Sequence, residues 1–210
     1  MKEKTNRTNT PILSIDTETP EPELIGQAVS VLAAGDMLIV PTDTVYGIGL
    51  LASDSAKPDR LFASKHRPAA KSIPLLVAST EDLQNYGCNL PAYARELASR
   101  HWPGALTLVI QASDKVPKQF VASDGSVALR MPDSTIILAL LASAEAPIAC
   151  SSANLSGNAP ALSVFELDAD LMDSADLIID GGTLTGGAAS AVVSCLQAEP
   201  QVLRPGPVTI

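Results

Sequence analysis

Short apolar runs that end at Pro or Gly constrain the fold of this chain more than any other feature. The run MLIV at 37–40 stops at Pro41, and the polar stretch TDTVY then leads to Gly47. A short apolar run bounded by Pro and Gly is typical of a buried strand. Further runs of this kind lie at 73–78, 105–111, 127–131, 147–150, 177–180, 191–196 and 202–204.

Segments with helical periodicity separate these runs, so the sequence predicts one α/β domain built on a mixed sheet. Helices are expected at 24–33, 56–66, 91–100, 134–143 and 163–172, the last with Ser163 and Glu166 as a capping box. Residues 1–20 are predicted to be a flexible N-terminal arm, with pairing of Ile12 to Ile15 at a sheet edge as an alternative for part of it. The domain proper is expected at 21–210.

Composition narrows the class of protein. The net charge of −9 argues against a broad basic face for nucleic acid, although it leaves room for a small basic pocket. Three cysteines without a C-x-x-C pair indicate neither a disulfide framework nor a zinc site. The polar N-terminus and the lack of any apolar run of about 18 residues predict a cytoplasmic chain without a signal peptide or a membrane span.

Two loops are richer in hydroxyl groups than a plain connection needs. Thr42 and Thr44 follow the first buried strand, where ligands bind in open α/β sheets. The alternative is a simple strand-to-helix turn. The sequence SSANLSG at 151–157 follows another strand and would let main-chain N–H groups approach an anion. Its alternative is a helix N-cap provided by Asn154 or Ser156.

Three cations stand close together at Lys65, Arg67 and Lys71. In an acidic protein such a cluster suggests a site for phosphate or carboxylate. A solvated helix end, where cations complement the helix dipole, is the alternative.

Two arginines lie in or at the end of predicted strands, Arg130 and Arg204. A buried arginine is costly unless it is paired or faces a ligand. Pairing with Asp43 or Asp133 is the explanation that requires no ligand.

Motifs for several common chemistries are absent. The sequence contains no G-x-x-x-x-G-K-[ST], no G-x-G-x-x-G and no H-x-x-x-H, and nothing in its pattern supports a Ser–His–acid hydrolase. Cations, hydroxyls and main-chain donors remain. Such a set suits phosphoryl or nucleotidyl transfer, where positioning and charge stabilisation do most of the catalysis.

Taken together, the motifs resemble the YrdC family of L-threonylcarbamoyladenylate synthases in its single-domain form. The matching stretches run in order over nearly the whole chain: PTDTVYGIG at 41–49, KHRP at 65–68, WPGALT at 102–107, VALRMPD at 127–133, SANLSG at 152–157, IDGG at 179–182 and LRPG at 203–206. The resemblance implies a YrdC-like open, twisted mixed sheet with flanking helices and a central concave pocket.

The resemblance also implies an activity. L-threonine, bicarbonate or CO2, and ATP would give threonylcarbamoyl-AMP and pyrophosphate, with Mg²⁺ carried by ATP and no metal ligands from the protein. Downstream transfer proteins would then place the threonylcarbamoyl group on tRNA, which this chain itself would contact weakly at most.

Site residues follow from the matching positions. The resemblance implies that Lys65, Arg67, Ser152 and Asn154 are catalytic. It assigns ATP to Arg67, Lys71, Ser126, Ser152 and Arg204, and L-threonine to Thr44, Arg130, Cys150 and Ser190.

The segment 71–78 departs from the family pattern, because a threonine-contacting histidine of some members is replaced near Ala78. This leaves the selectivity between threonine and serine open. Two other functions remain as alternatives: a non-catalytic nucleotide- or RNA-binding paralogue of the same fold, and a carbamoyl-transfer module that acts with a larger partner.

Overall fold

A computed structural model describes residues 9–66 and 73–210. Within them the chain forms one ten-stranded sheet, in the order β1-β8-β2-β3-β7-β4-β6-β5-β9-β10. The strands are β1 (Ile12–Ser14), β2 (Leu38–Pro41), β3 (Tyr46–Leu51), β4 (Leu75–Leu76), β5 (Leu106–Gln111), β6 (Ser126–Arg130), β7 (Ile148–Ser152), β8 (Leu177–Asp180), β9 (Ala191–Ser194) and β10 (Gln201–Arg204). Both parallel and antiparallel neighbours occur, and the sheet is open, so the predicted α/β class is confirmed.

Six α-helices flank the sheet in the described part of the chain. They are α1 (Pro22–Ala33), α2 (Pro58–Ser64), α3 (Asp82–Tyr86), α4 (Ala92–His101), α5 (Thr135–Ala144) and α6 (Ala169–Ser174). Pro22 opens α1 because its missing N–H costs nothing in a first turn, and Gly35, at φ 87°, follows the helix end. Ser134 caps α5 by accepting a hydrogen bond from the main-chain N–H of Ile137.

Side-chain alternation along β2 divides the core between the two faces of the sheet. Leu38 and Val40 pack with α1 and α5, whereas Ile39 packs in the larger cluster on the other face. A strand buried on both faces reads as a continuous apolar run, which is the pattern at 37–40.

Two expectations about elements need correction. The stretch after Pro41 is not a strand-to-helix turn, because residues 42–45 join β2 to its antiparallel neighbour β3 in a hairpin that the pattern did not predict. The predicted helix 163–172 is also wrong: a 3-10 turn at Val164–Glu166 and helix α6 are separated by extended Leu167.

The capping box fails with that helix. Ser163 makes no side-chain cap hydrogen bond, and Glu166 accepts instead from the main-chain N–H of Leu162 at 2.8 Å. Asp168 caps α6 by accepting from the N–H of Asp170 at 3.0 Å. Because this local hydrogen bond starts a new helix, the two segments remain separate.

Part of the predicted arm lies at the sheet edge. Ile12–Ser14 pairs in parallel with β8, and Ile15 is buried beside it. This is the pairing considered for Ile12 to Ile15. The division into an arm at 1–20 and a domain at 21–210 stays a prediction, since residues 1–8 lie outside the described part of the chain.

Candidate active site

A cleft of about 290 Å³ lies against one face of the sheet. Successive side chains of a strand point to opposite faces, so alternate residues of neighbouring strands meet there. Thr107 and Val109 of β5, Ala128 and Arg130 of β6, and Cys150 and Ser152 of β7 line the cleft. The intervening residues of β5, Leu106, Leu108 and Ile110, are fully buried in the core behind it. The sheet is therefore the rigid floor of the site.

The hairpin loop 42–45 forms one wall and is ordered by its own hydroxyl groups. Thr42 Oγ1 accepts from the N–H groups of Thr44 and Val45, at 3.1 and 3.2 Å, and donates to the carbonyl of Val45 at 2.7 Å. The two threonine hydroxyls lie 3.1 Å apart, and either of them could donate to the other. Thr44 Oγ1 can also accept a hydrogen bond from another group.

Arg130 supplies the proton for that acceptor. Its Nη1 donates to Thr44 Oγ1 at 3.2 Å, its Nε to the carbonyl of Gly104 at 3.0 Å, and its Nη2 to Asp43 Oδ1 at 2.6 Å. The side chain is 9% exposed, so this ion pair is nearly buried. Asp43 is thus the partner carboxylate, one of the two considered from sequence. Three contacts fix the plane of the guanidinium at the wall of the cleft.

Lys65 lies just beyond the end of α2 and is 4% exposed. Its Nζ donates to the main-chain carbonyls of Ser152 and of Asn154, the latter at 2.6 Å. A solvated helix end is therefore wrong for Lys65. The ammonium instead holds the loop after β7 against α2.

The loop after β7 is further organised by Asn154. Its Oδ1 accepts from Ser152 Oγ at 2.5 Å, and its Nδ2 donates to the carbonyl of Asn158 at 2.8 Å. No helix starts at Asn154 or Ser156 in the described chain, since the next element is the 3-10 turn at Val164–Glu166. The helix N-cap interpretation is therefore wrong.

Ser190 and Arg204 close the opposite side of the cleft. Ser190 Oγ lies 2.8 Å from Thr107 Oγ1, and Arg204 donates to the Ser190 carbonyl through Nε at 3.0 Å and Nη2 at 2.8 Å. Arg204 is exposed as a residue although its guanidinium is partly buried. Burial, and secondly the charge of Arg130, lower the pKa of Arg204. The two guanidinium groups are thus close enough to repel each other, which favours an anion in the cleft.

Cys150 faces the cleft from β7. Burial raises the pKa of its thiol to about 12, although Arg130 and Lys65 act in the opposite direction. The thiol is therefore neutral near pH 7 and is unsuited to nucleophilic attack.

Gly47 allows the close approach of β3 at this point, because a Cβ there would lie 2.5 Å from Cys150 Sγ.

Most of the predicted site residues converge. Thr44, Arg130, Cys150, Ser152, Ser190 and Arg204 line the cleft. Lys65 and Asn154 are both hydrogen-bonded to Ser152. Ser126 is not among the lining residues, but it stands two positions before Ala128 on the same face of β6, with its hydroxyl on Asp124 Oδ1 at 2.6 Å. Arg67 and Lys71 lie outside the described residues.

Thr107 is a site residue that the sequence reasoning missed. It is 1% exposed, lines the cleft and meets Ser190. The sequence did contain a signal for it, since Thr107 is a polar residue within an apolar strand. Side chains alternate between the two faces of a strand, so its hydroxyl is predicted to lie on the face opposite the core.

The donor set of the cleft is poor in metal ligands. Within 9–66 and 73–210, no group of three or more His, Cys, Asp or Glu side chains is placed to hold an ion. In the same residues, no helix has the length and apolar character needed to cross a membrane.

The sequence of this chain matches one protein family and several known proteins. The family Sua5_yciO_yrdC, described as "Telomere recombination", matches residues 30–206. The threonylcarbamoyl-AMP synthase of Pyrococcus abyssi is 38% identical over 179 residues, which cover 85% of this chain and 53% of the relative. The chain thus spans about half the length of that relative. A putative threonylcarbamoyl-AMP synthase of Mycobacterium tuberculosis is 36% identical, and the match covers 93% of this chain and 91% of that protein.

A solved structure shows the same fold. The crystal structure of P. abyssi Sua5 complexed with L-threonine superposes with a TM-score of 0.88 and 37% identity, covering 94% of this chain and 58% of that one.

Proposed function

The chain belongs to the Sua5/YciO/YrdC family, and on that premise we propose that it is a threonylcarbamoyl-AMP synthase. It would convert L-threonine, bicarbonate or CO2, and ATP into threonylcarbamoyl-AMP and pyrophosphate. The observation that carries the proposal is the convergence of Arg130, Ser152 and Arg204 on one cleft whose lining, in the described residues, contains no carboxylate.

Charge explains why this set of residues suits the reaction. The neutral amine of threonine adds to CO2 and releases a proton to give an anionic carbamate, and a carbamate oxygen then attacks the α-phosphorus while pyrophosphate leaves. Both reactants are anionic, so the step needs fixed cations and hydrogen-bond donors rather than a nucleophile from the protein. Lys65, bonded to the Ser152 carbonyl, and Arg204, bonded to the Ser190 carbonyl, would supply positive charge.

The residues are assigned to two substrates. Arg130, with Thr44, Cys150 and Ser190, would hold L-threonine, its guanidinium taking the carboxylate. Ser152, Arg204 and Ser126, with Arg67 and Lys71 from the undescribed segment, would contact ATP. Lys65 and Asn154 would shape the loop after β7. Together with Arg67 and Ser152 they form the proposed catalytic group.

Magnesium would arrive with ATP. The lining offers hydroxyls and cations, and this donor set suits a metal held by phosphate oxygens better than one held by side chains. Bound Mg²⁺ would offset negative charge on the phosphates. We place the enzyme in the cytoplasm, where its product would pass to proteins that transfer the threonylcarbamoyl group to tRNA.

Pyrophosphate release provides the test. The purified protein with Mg·ATP should release pyrophosphate only when both L-threonine and bicarbonate are present, and threonylcarbamoyl-AMP should be found by mass spectrometry. Release without threonine, or tRNA binding with no turnover, would contradict the proposal and favour the RNA-binding paralogue.

A further inference from the structure

Thr107 and Ser190 bring two buried hydroxyl groups together in the lining of the cleft. Thr107 Oγ1 lies 2.8 Å from Ser190 Oγ, and the two residues are 1% and 5% exposed. Within the described part of the chain, Ser190 is the hydrogen-bond partner of the Thr107 side chain. Loss of either hydroxyl would therefore leave the other without this buried contact.

Thr107 is the rigid member of this pair. It lies on β5, which pairs with β6 on one side and with β9 on the other. The residues on either side of it, Leu106 and Leu108, are fully buried in the core behind the cleft. The sheet therefore fixes where the Thr107 hydroxyl stands.

Ser190, in contrast, ends the connection 181–189, which contains four glycines. Glycine leaves a segment more conformational freedom than any other residue. Main-chain hydrogen bonds hold this connection at Leu184, which donates to Leu162, and at Gly187, which donates to Thr44. The hydroxyl contact with Thr107 is an anchor of another kind, because it also sets the direction of a side chain.

The direction of the Ser190 hydroxyl matters for binding. A serine side chain has three staggered rotamers, and a ligand that needs one of them must restrict the others. Arg204 Nη2 also donates to Ser190 Oγ, at 3.2 Å, but the shorter bonds of this guanidinium go to the Ser190 carbonyl. Thr107 is therefore the nearer partner of the hydroxyl.

We propose that Thr107 is a positioning residue for the synthase reaction: it holds the Ser190 hydroxyl in the orientation that binds the amino-acid substrate. Thr107 acts through Ser190 and is not a catalytic residue. The inference deepens the proposed function and rests on it for the assignment of L-threonine to Ser190.

Thr107→Val tests the inference, because valine keeps the branched shape and lacks the hydroxyl. The KM for L-threonine, and its Kd by calorimetry, should rise about tenfold. The kcat should change less than about twofold, since ground-state binding is what is lost. The KM for ATP should change less than about threefold, because the bonds from Arg204 to the Ser190 carbonyl remain.

A double-mutant cycle shows whether Thr107 acts through Ser190. Ser190→Ala alone should weaken L-threonine binding at least as much as Thr107→Val does. Adding Thr107→Val to Ser190→Ala should then weaken it by less than about twofold, because the hydroxyl that Thr107 holds is already gone.

Three further variants serve as controls. Thr107→Ser restores a hydroxyl and should bring the affinity for L-threonine back to within about threefold of the wild type. Thr80→Val makes the same substitution in a partly exposed turn before α3 and should leave all constants unchanged. If Thr107→Val does not fold, Thr107→Ala removes the hydroxyl with a smaller side chain.

Specific results would overturn the inference. Additive losses in the cycle would mean that Thr107 acts independently of Ser190. A fall in kcat and in thermal stability with an unchanged KM for L-threonine would mean that Thr107 only supports the fold. Pyrophosphate release reports separately on the proposed function: a protein that releases none, but whose L-threonine affinity still depends jointly on Thr107 and Ser190, refutes the synthase assignment and not the positioning role.

Discussion

The Nζ atom of Lys65 lies 2.6 Å from the main-chain carbonyl oxygen of Asn154, although the two residues are 89 positions apart. The same ammonium donates to the carbonyl of Ser152 and lies 3.3 Å from Asn154 Oδ1. Lys65, which the resemblance to the family assigns to catalysis, thus joins the end of α2 to the loop after β7 through hydrogen bonds.

Replacing Lys65 by Met should therefore affect both stability and catalysis. The loop carbonyls lose their charged donor, so we expect the free energy of unfolding to fall by about 2 kcal/mol and turnover to fall about 100-fold. Urea denaturation and pyrophosphate release measure the two effects. Lys65→Arg keeps the charge and should be milder in both. Full activity in Lys65→Met would show that the hydrogen bonds from Lys65 to the loop are not needed for catalysis.

Arg130→Ala leaves the nearly buried Asp43 carboxylate without its partner. Breaking a buried ion pair from one side costs about 3–5 kcal/mol, so the variant should unfold at clearly lower denaturant concentration. The double variant Asp43→Asn/Arg130→Ala removes both charges and should be less destabilised than the sum of the single variants. Additive costs in denaturation experiments would contradict the coupling.

Arg204→Ala should weaken ATP binding more than it lowers the stability of the fold. Arg204 is exposed, and its hydrogen bonds within the described structure go to Ser190, so we expect a stability loss of only about 1 kcal/mol. The KM for ATP should rise about tenfold or more with little change in the KM for threonine, because a charged contact to phosphate is lost. A rise confined to the KM for threonine would contradict the assignment of Arg204 to ATP.

Two glycine substitutions test the packing of the sheet. In Gly49→Ala the new Cβ would lie 2.6 Å from the carbonyl oxygen of Ala149 on the paired strand β7, so we expect a loss of about 2–3 kcal/mol. Gly26 lies inside α1, where a Cβ added to it would meet no neighbouring atom within 4 Å, and Gly26→Ala should stabilise the protein by about 0.5–1 kcal/mol. Thermal unfolding should move the two variants in opposite directions.

Thiol labelling should discriminate among the cysteines. Burial raises the pKa of Cys150 to about 12 and that of Cys195 to about 11, so both thiols stay protonated at pH 8. Because the thiolate is the reactive form, iodoacetamide should modify the partly exposed Cys88 first. Peptide mass spectrometry checks the order, and rapid labelling of Cys150 in the folded protein would contradict the burial of its thiol.

Several elements were predictable because their signals are local. Pro22 and Gly35 delimit α1, and continuous apolar runs identify β2 and β7 as strands buried on both faces. The hairpin partner β3 was missed because Gly47 and Gly49 read as loop residues. Their lack of side chains instead allows β3 to lie close against β7, which is a property of the pairing and not of the segment.

The sequence alone predicted most of the strands and helices, although not β3 or the break at Leu167, together with the acidic balance of the chain and the polar residues that stand at strand ends. Only the tertiary structure decided that Thr44, Arg130, Ser190 and Arg204 share one cleft, that Asp43 compensates Arg130, and that Lys65 clamps the loop after β7. Periodicity and turn chemistry act over a few residues, whereas these contacts join residues as far as 89 positions apart through the order of strands in the sheet, which no local pattern specifies.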